Sequence, residues 1–366
     1  MHIAAAFVIF LTASVAAHAQ GVEQVRDALT KMPSPLLNTP SPVQFSFVDV
    51  AALRKLGGGE GLHPRIVARA IMVDALPHFV ALRARGLHYW AERSLVDLAN
   101  IRYLAASSLQ PVIWGFDSEN TAAATIAALD AADFDAVGTE GMLSNGGAPD
   151  PVKVEAFDPW RSAGRHSSFL AAKGDAIVQA IAPRLVEAAL RGEPNMAESE
   201  VVSAALGGIE AALGDGTLVQ AMLITPLVGL GGADTEMLLN AGADLDAMRE
   251  KLEAELAPGT EGIPSYLGGF IADAQGDQPS VLISLAYPDC ATAERASAQM
   301  ADRLAGIMPE DVRGDMEHAT LETSSGLCAA TLNVTGTSTD GLGNPTFDAF
   351  IKYRQYFVAL QIGKAE

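Results

Sequence analysis

"VIWGFDSENTAAATIAALDAADFDAVG" occupies residues 112–138. Val112 to Phe116 is an apolar run of strand length. Asp117 and Ser118 then offer side-chain oxygens to the first amides of a helix, with Glu119 in its first turn. Ile126 and Leu129 keep a helical apolar spacing, and "FDAVGTEG" (134–141) returns as a second strand. "SVLISLAYPDCATAERASAQMADRLAGI" (280–307) repeats the plan: an apolar strand, an aromatic, Asp289 and an Ala-rich helix. A hairpin follows each stretch. The first is "SSFLAAKGDAIVQAI" (167–181), turning at Lys173-Gly174-Asp175. The second is "MEHATLETSSGLCAATLNVTG" (316–336), turning at Ser325-Gly326. This order predicts an α+β protein of two ferredoxin-like α/β sandwich halves, each an antiparallel sheet with helices on one face.

An aspartate at a strand end is also where many enzymes hold a catalytic carboxylate. Asp117 has no neighbouring base or nucleophile in the sequence, and the same device recurs at Asp289. Capping is therefore the reading for both, each worth about 1 kcal/mol to its helix.

Outward from this stretch, "FSFVDVAALRKL" (45–56) reads as a strand running into a turn. Residues 64–107 carry helical spacing, as in Leu95, Leu98 and Ile101, and predict an N-terminal helical segment. Residues 20–42 end in a run with four prolines within ten positions, which predicts an extended lead-in segment. "PRLVEAALRG" (183–192) and "ESEVVSAALGGIEAAL" (198–213) read as helices and "TLVQAMLITP" (217–226) as a strand. "FDAFIKYRQYFVALQIG" (347–363) reads as one or two further strand segments. The expected divisions are a signal peptide over 1–19, the Pro-rich segment over 20–42, a first α+β half over 43–195 and a second over 196–366.

The leader "MHIAAAFVIFLTASVAAHA" has an apolar stretch from Ile3 to Ala17 and small residues at Ala17 and Ala19 before a cleavage point, although no Lys or Arg precedes the stretch. It is shorter than the roughly 20 apolar residues of a membrane span. The expected location is therefore periplasmic or secreted, with no transmembrane span in the mature chain. The motifs "VIWGFDSENTAAATIAALDAADF", "SSFLAAKGDAIVQA" and "VLISLAYPDCATAERASAQMADRL" together resemble a loose group of secreted bacterial proteins with a duplicated plan. The resemblance covers roughly residues 90–366. It implies fold and export and carries no activity.

Composition narrows the partners. A net charge of −20 repels phosphate backbones, which argues against nucleic acid, and it disfavours anionic membrane surfaces. Hydrophobic residues make up 49 % of the chain, ample for cores. Two cysteines, Cys290 and Cys328, suggest either one disulfide in an oxidising compartment or two buried thiols. His63, His78 and His88 match no local metal-ligand spacing, and HExxH is absent. Asp130, Asp133, Asp135 and Gly138 hint at a calcium loop, but Ser144 stands where the bidentate Glu belongs. No metal or cofactor is expected. "TPLVGLGGADTEMLLNAGADLDA" (225–247) imitates an ankyrin repeat without a second copy. "GGGEGLHPR" (57–65) lacks the Lys-Ser/Thr ending of a phosphate cradle, and no G-x-S-x-G elbow occurs. Arg313-Gly314-Asp315 and Asn333-Val334-Thr335 match adhesion and glycosylation triplets at the level of chance.

The candidate ligand site is "AFDPWRSAGRH" (156–166). Trp160, Arg161, Arg165 and His166 put an aromatic face beside two guanidinium groups, which suits a carboxylate or a planar ligand. The competing reading is a Trp that covers the sheet edge beside arginines paired with acids. No catalytic residue stands out. The expectation is a non-catalytic exported protein of the bacterial envelope or periplasm that binds a protein or small-molecule partner. The alternative is an extracytoplasmic hydrolase with a site assembled from distant residues.

Overall fold

The computed structural model describes residues 21–59, 63–70, 94–107, 111–132, 134–138, 141–145, 159–160, 168–192, 194–230, 262–310, 312–338, 340–353 and 355–363. Val22–Thr30 forms α1, Val43–Asp49 β1, Val50–Leu56 α2 and Pro64–Ala70 α3. Ile101–Ser107 is β2, Val112–Phe116 β3 and Glu119–Ala132 α4. The two-residue strands β4 (Asp135–Ala136) and β5 (Leu143–Ser144) precede a hairpin of β6 (Phe169–Lys173) and β7 (Ala176–Ala180). Helices α5 (Pro183–Arg191) and α6 (Glu200–Leu213) lead to β8 (Thr217–Ile224), β9 (Gly268–Gln275) and β10 (Pro279–Tyr287). Then come α7 (Cys290–Ile307), β11 (Met316–Glu322), β12 (Cys328–Thr335), α8 (Pro345–Lys352) and α9 (Gln355–Ala359).

The fold is α+β, and the twelve strands lie in one sheet of order β11-β12-β10-β9-β8-β1-β2-β3-β7-β6-β5-β4. Every neighbouring pair is antiparallel, including β8 with β1 next to the centre. Two units stand out. β3 leads through α4 to β6, with β7 lying between the two strands; β10 leads through α7 to β11, with β12 between. Each is a split β-α-β arrangement, whose two outer strands run parallel because each is antiparallel to the inserted one. A ferredoxin-like sandwich has two such crossovers. Here β1-β2-β3 and β8-β9-β10 run instead as consecutive neighbours.

Helices cover both faces of the sheet, not one. On one face α1, α5 and α6 pack on Phe45, Phe47, Val178, Leu223, Phe270 and Leu282 in a core that runs unbroken past the β1–β8 seam. On the other, α2, α3 and α4 cover Leu104, Trp114 and Ile177, while α7, α8 and α9 cover Ile271, Ile283 and Leu332. The strands themselves dictate this: all nine residues of β10 and seven of the eight in β9 are buried, so neither face tolerates water.

Several local expectations change. Residues 22–30 are helical within the segment read as extended; the prolines begin at Pro33 and leave "VEQVRDALT" free to bury Val22, Val25, Ala28 and Leu29. Residues 50–56 form a helix, α2, where a turn was read, because the Asp49 carboxylate accepts the Ala52 amide at 2.7 Å. The helical segment 64–107 holds α3 at its start but a strand, β2, at its end, with residues 71–93 outside the described part. "IRYLAAS" pairs with β1 on one side and β3 on the other, and this pairing overrides a three-residue apolar spacing. The stretch 347–363, read as strands, is α8 and α9. Asn344 caps α8 through Phe347, and Ile362 alone bridges back to Ile263. The leader lies outside the described residues, as does most of the ankyrin-like stretch.

Cys290 and Cys328 are disulfide-bonded, with Cα atoms 5.0 Å apart. The bond ties the first residue of α7 to the first of β12, which itself pairs with Tyr287. It closes a 38-residue interval, and loop entropy puts its contribution at about 4 kcal/mol.

Gly115 in β3 shows how tight the interior is. A Cβ there would lie 2.2 Å from the Tyr103 ring of β2. Gly115→Ala is therefore expected to lower the unfolding free energy by about 3 kcal/mol, measured by urea denaturation. The added loss of the Tyr103 ring in Gly115→Ala/Tyr103→Leu should recover part of that. A Gly115→Ala protein as stable as the parent would show that the Tyr103 ring moves aside at no cost.

Candidate functional site

On the face covered by α6, the helix stops at Leu213 before it reaches the ends of β10 and β12. Under its inner turns the floor is small. A Cβ on Gly208 would lie 2.2 Å from Ser284 Oγ and 2.9 Å from Ala329 Cβ, so helix and sheet touch backbone to side chain. Past the helix end, β12 presents Asn333 and Thr335, since its other face carries Leu332 and Val334 into the opposite core. The space left is a cavity of about 280 Å³. Its walls are Ala212 and Leu213 of α6, Asp277 and Gln278 of the β9–β10 turn, and Ser280, Asn333 and Thr335 of the strand ends. The turn is closed by Gly276 donating to the Gln278 carbonyl at 3.1 Å. Asn333 Oδ1 is buried and has no hydrogen-bond partner. An orphaned acceptor of this kind costs about 1–3 kcal/mol unless a donor reaches it. The cavity thus has polar walls, and one of its lining residues, Asn333, is among several described residues with an unpartnered buried atom.

Ionisable side chains gather elsewhere, at the end of β2 beneath α1. A bulge at Ile101–Tyr103 turns two consecutive residues, Arg102 and Tyr103, toward α1. Arg102 Nη2 lies 3.2 Å from Asp27 Oδ2 and 2.7 Å from Asp175 Oδ2, and Tyr103 donates to Asp27 at 2.6 Å. Lys31 pairs with Asp27 and stands 3.5 Å from Asp175. Burial pushes the Tyr103 hydroxyl far above its ordinary range, and the adjacent Asp27 adds to this. Burial, with Lys31 nearby, lowers Lys173. These groups pair their charges, two carboxylates against two cations and a phenol, although Arg102 Nε is left without a partner. They clamp α1 to the sheet and the β6–β7 turn.

A second buried set joins α3 to the far side of the seam. Arg69 grips Asp273 of β9 in two bonds, at 2.8 and 2.5 Å, and reaches Gln275 at 2.9 Å. Gln220 and Asn344 also donate to Asp273, at 2.9 and 2.7 Å. Asp273 is fully buried and its charge is matched by Arg69, so the set is a clasp between α3 and β9, although Gln220 Oε1 there has no partner.

Of the four residues predicted as a ligand site, Trp160 is fully buried. It stacks on Trp114 with centroids 4.2 Å apart and donates to the Ser94 carbonyl. Gln179 locks the pair by accepting from Trp114 Nε1 at 2.8 Å and donating to the Trp160 carbonyl at 2.9 Å. The ring therefore offers no free face. Arg161, Arg165 and His166 lie outside the described residues. Asp117 supports α4 indirectly: Ser118 Oγ accepts the Thr121 amide at 3.2 Å, and Asp117 accepts the Thr121 hydroxyl at 2.6 Å. Asp289 caps α7 directly, accepting the Thr292 amide at 2.8 Å and its hydroxyl at 2.9 Å, and these bonds hold its carboxyl below the usual range. Among the described residues no group of three His, Cys, Asp or Glu side chains is placed to hold a metal, and no helix is long and apolar enough to cross a membrane. The cavity residues were overlooked in sequence. Asn333 registered only as part of a glycosylation triplet, and nothing local links it to Asp277.

Asp49 carries a testable electrostatic cost. Burial raises its carboxyl from 3.8 to about 6, against the pull of the Ala52 amide and the charges of Arg102 and Arg54. The folded chain therefore holds this proton more tightly than the unfolded chain between those values. Stability from the protonated form is lost as pH rises through about 6, a cost of about 3 kcal/mol at neutral pH. Asp49→Asn keeps an acceptor for Ala52 and removes the titration. It should flatten the unfolding free energy between pH 4 and 7 and raise it at pH 7 by up to that amount. A variant whose pH profile runs parallel to the parent's would refute the assignment.

Compared with known proteins, the chain matches no family model, no curated protein and no solved structure.

Proposed function

We propose that the chain is an exported, non-catalytic binding protein of a bacterial envelope or periplasm, and that the cavity between α6, the β9–β10 turn and β12 is its ligand site. The observation that carries the reading is the cavity itself, about 280 Å³ with Asp277, Gln278, Ser280, Asn333 and Thr335 in its walls. Polar side chains converging on a concave space are suited to fixing a small ligand. The hydrolase reading finds less support. The ionisable side chains around Asp27 and Asp175 are spent on each other, and the cavity has a single carboxylate, Asp277, in its wall.

Export is supported by the Cys290–Cys328 disulfide, a bond that persists in oxidising compartments, and by the apolar leader ahead of Gln20. A duplicated origin is supported by the two split units. In each an Ala-rich helix starts on an Asp-assisted cap with a Thr, Thr121 or Thr292, and a hairpin follows. We read each half as a relative of the ferredoxin-like plan in which the first crossover is replaced by a meander.

Two measurements test the proposal. Mass spectrometry of protein recovered from its own host should find the N-terminus at Gln20 or Gly21; an intact Met1 on all of the protein removes the case for export. Native mass spectrometry of the same material should find a small molecule bound to the parent, with occupancy lost in Asn333→Leu. Equal occupancy in both proteins would move the ligand away from the cavity.

A further inference from the structure

We infer that removal of the leader locks the fold through an ion pair. The α-ammonium group freed at Gln20 or Gly21 seats against the carboxylate of Asp49. This rests on the export reading, is independent of the cavity, and adds what cleavage does to the fold. Asp49 is the last residue of β1 and is 1 % exposed. It bonds the amides of Ala52 and Ala51 at the start of α2. Capping alone does not need burial, since Asp289 does the same for α7 from an exposed position. The cations that act on Asp49, Arg54 of α2 and Arg102 of β2, form no ion pair with it, and Arg102 is bonded to Asp27 and Asp175. Tyr103, its partner across the ladder, gives its hydroxyl to Asp27 instead.

The start of α1 lies on this carboxylate. A Cβ on Gly21 would sit 3.4 Å from Asp49 Oδ2, 3.1 Å from Leu218 Cβ and 2.6 Å from the Leu218 carbonyl oxygen. Gly21 is buried with a φ of 98°, so a glycine alone fits and the backbone is wedged between β1 and β8. The nitrogen of Gly21 is one bond from its Cα, and that of residue 20 is one residue, about 3.8 Å, further back. In the uncut chain either nitrogen is a neutral amide with one donor. Cleavage breaks its C–N bond with water. The oxygen leaves on the leader as carboxylate, and both hydrogens join the nitrogen, which becomes an ammonium with three donors and a full charge. A buried carboxylate without a counter-ion is costly, and a well-placed cation offsets the cost. Burial raises the Asp49 carboxyl to about 6 in the uncut chain, and the gain at pH 7 given above for Asp49→Asn belongs to that form. In the cut chain the ammonium opposes the shift. The pair contributes fully between the ordinary ranges of carboxyl and α-amine, about pH 4 to 8. Removing the carboxylate then strands a buried ammonium, so the effect of the substitution changes sign.

The test compares two full-length mature chains with the disulfide formed. One begins at the processed N-terminus, Gln20 or Gly21; the other carries six neutral Gly-Ser residues ahead of it. Each is made as parent and as Asp49→Asn, which keeps an acceptor for Ala52, and is unfolded in urea at pH 7. In the processed chain the substitution should raise the unfolding constant about tenfold, as loss of a bond to a charged group implies. In the extended chain it should lower that constant. Equal effects in the two chains overturn the inference. Acylation of the α-amine at pH 7, followed by mass spectrometry of the N-terminal peptide, gives a readout independent of stability. It should be about tenfold slower in the processed parent than in its Asp49→Asn variant or in the extended parent, and equal rates overturn the inference. Pyroglutamate at Gln20 on all protein recovered from the host leaves no ammonium and does the same. The two readings fail separately: an intact Met1 removes export and the ion pair together, whereas a processed start without the sign change removes the ion pair and leaves export standing.

Discussion

The pairing of β1 with β8 holds the molecule together. It runs antiparallel from Val43–Ile224 to Val48–Gln220 and joins a strand near the start of the described chain to one from its middle. Without it two buried, apolar strands would each present a row of unpaired amides and carbonyls. With it, one sheet has short or charged edges: β4 has two residues, and β11 carries Glu317, His318 and Glu322. The helices follow from the seam. One core on the α1–α5–α6 face crosses it without a break, so the two sides fold as partners.

Polar residues near the seam are placed by irregularities in the strands. A shift between Leu218 and Gln220 in β8 lets Val219 face one core while Gln220 reaches Asp273 and the Arg69 carbonyl. The shift at Ile101–Tyr103 sends both Arg102 and Tyr103 to Asp27. The shift at Val43–Phe45 frees Gln44 for the Leu37 carbonyl. In each case one extra residue re-aims a side chain without giving up the ladder on either side. The buried charges these bulges serve are matched. Arg69 and Asp273 in particular convert a costly desolvation into a fixed docking of α3 against β9.

The cavity owes its existence to a length mismatch. α6 is 14 residues long and ends under the strand tips, while β10 and β12 continue past it. Gly208 lets the helix sit low on the sheet, and the residues beyond its reach change from Ala329 to Asn333 and Thr335. Polar character at the floor and a carboxylate at the turn are then consistent with an opening that faces water.

The α+β class, the Ala-rich helices after Phe116 and Tyr287, the two hairpins and the helices over 183–213 were legible in sequence. They rest on local signals: caps, periodic apolar residues and Gly turns act over a few residues. The final segment and β2 misled for the same reason. "FDAFIKYRQYFVALQIG" and "IRYLAAS" are compatible locally with strand or helix, and partners far away in the chain decide between them. Trp160 looked like a ligand face because sequence lists its neighbours in the chain, whereas Trp114 and Gln179, which bury it, lie 46 and 19 residues away. The sequence by itself determined composition, charge, the presence of two cysteines and the local choice of most elements. Only the tertiary structure decided that the strands share one sheet, that both faces are covered, that the cysteines bond, and that Asn333 meets Asp277 at a cavity. Those facts depend on contacts between distant residues, whose free energy exists only once the chain has closed on itself.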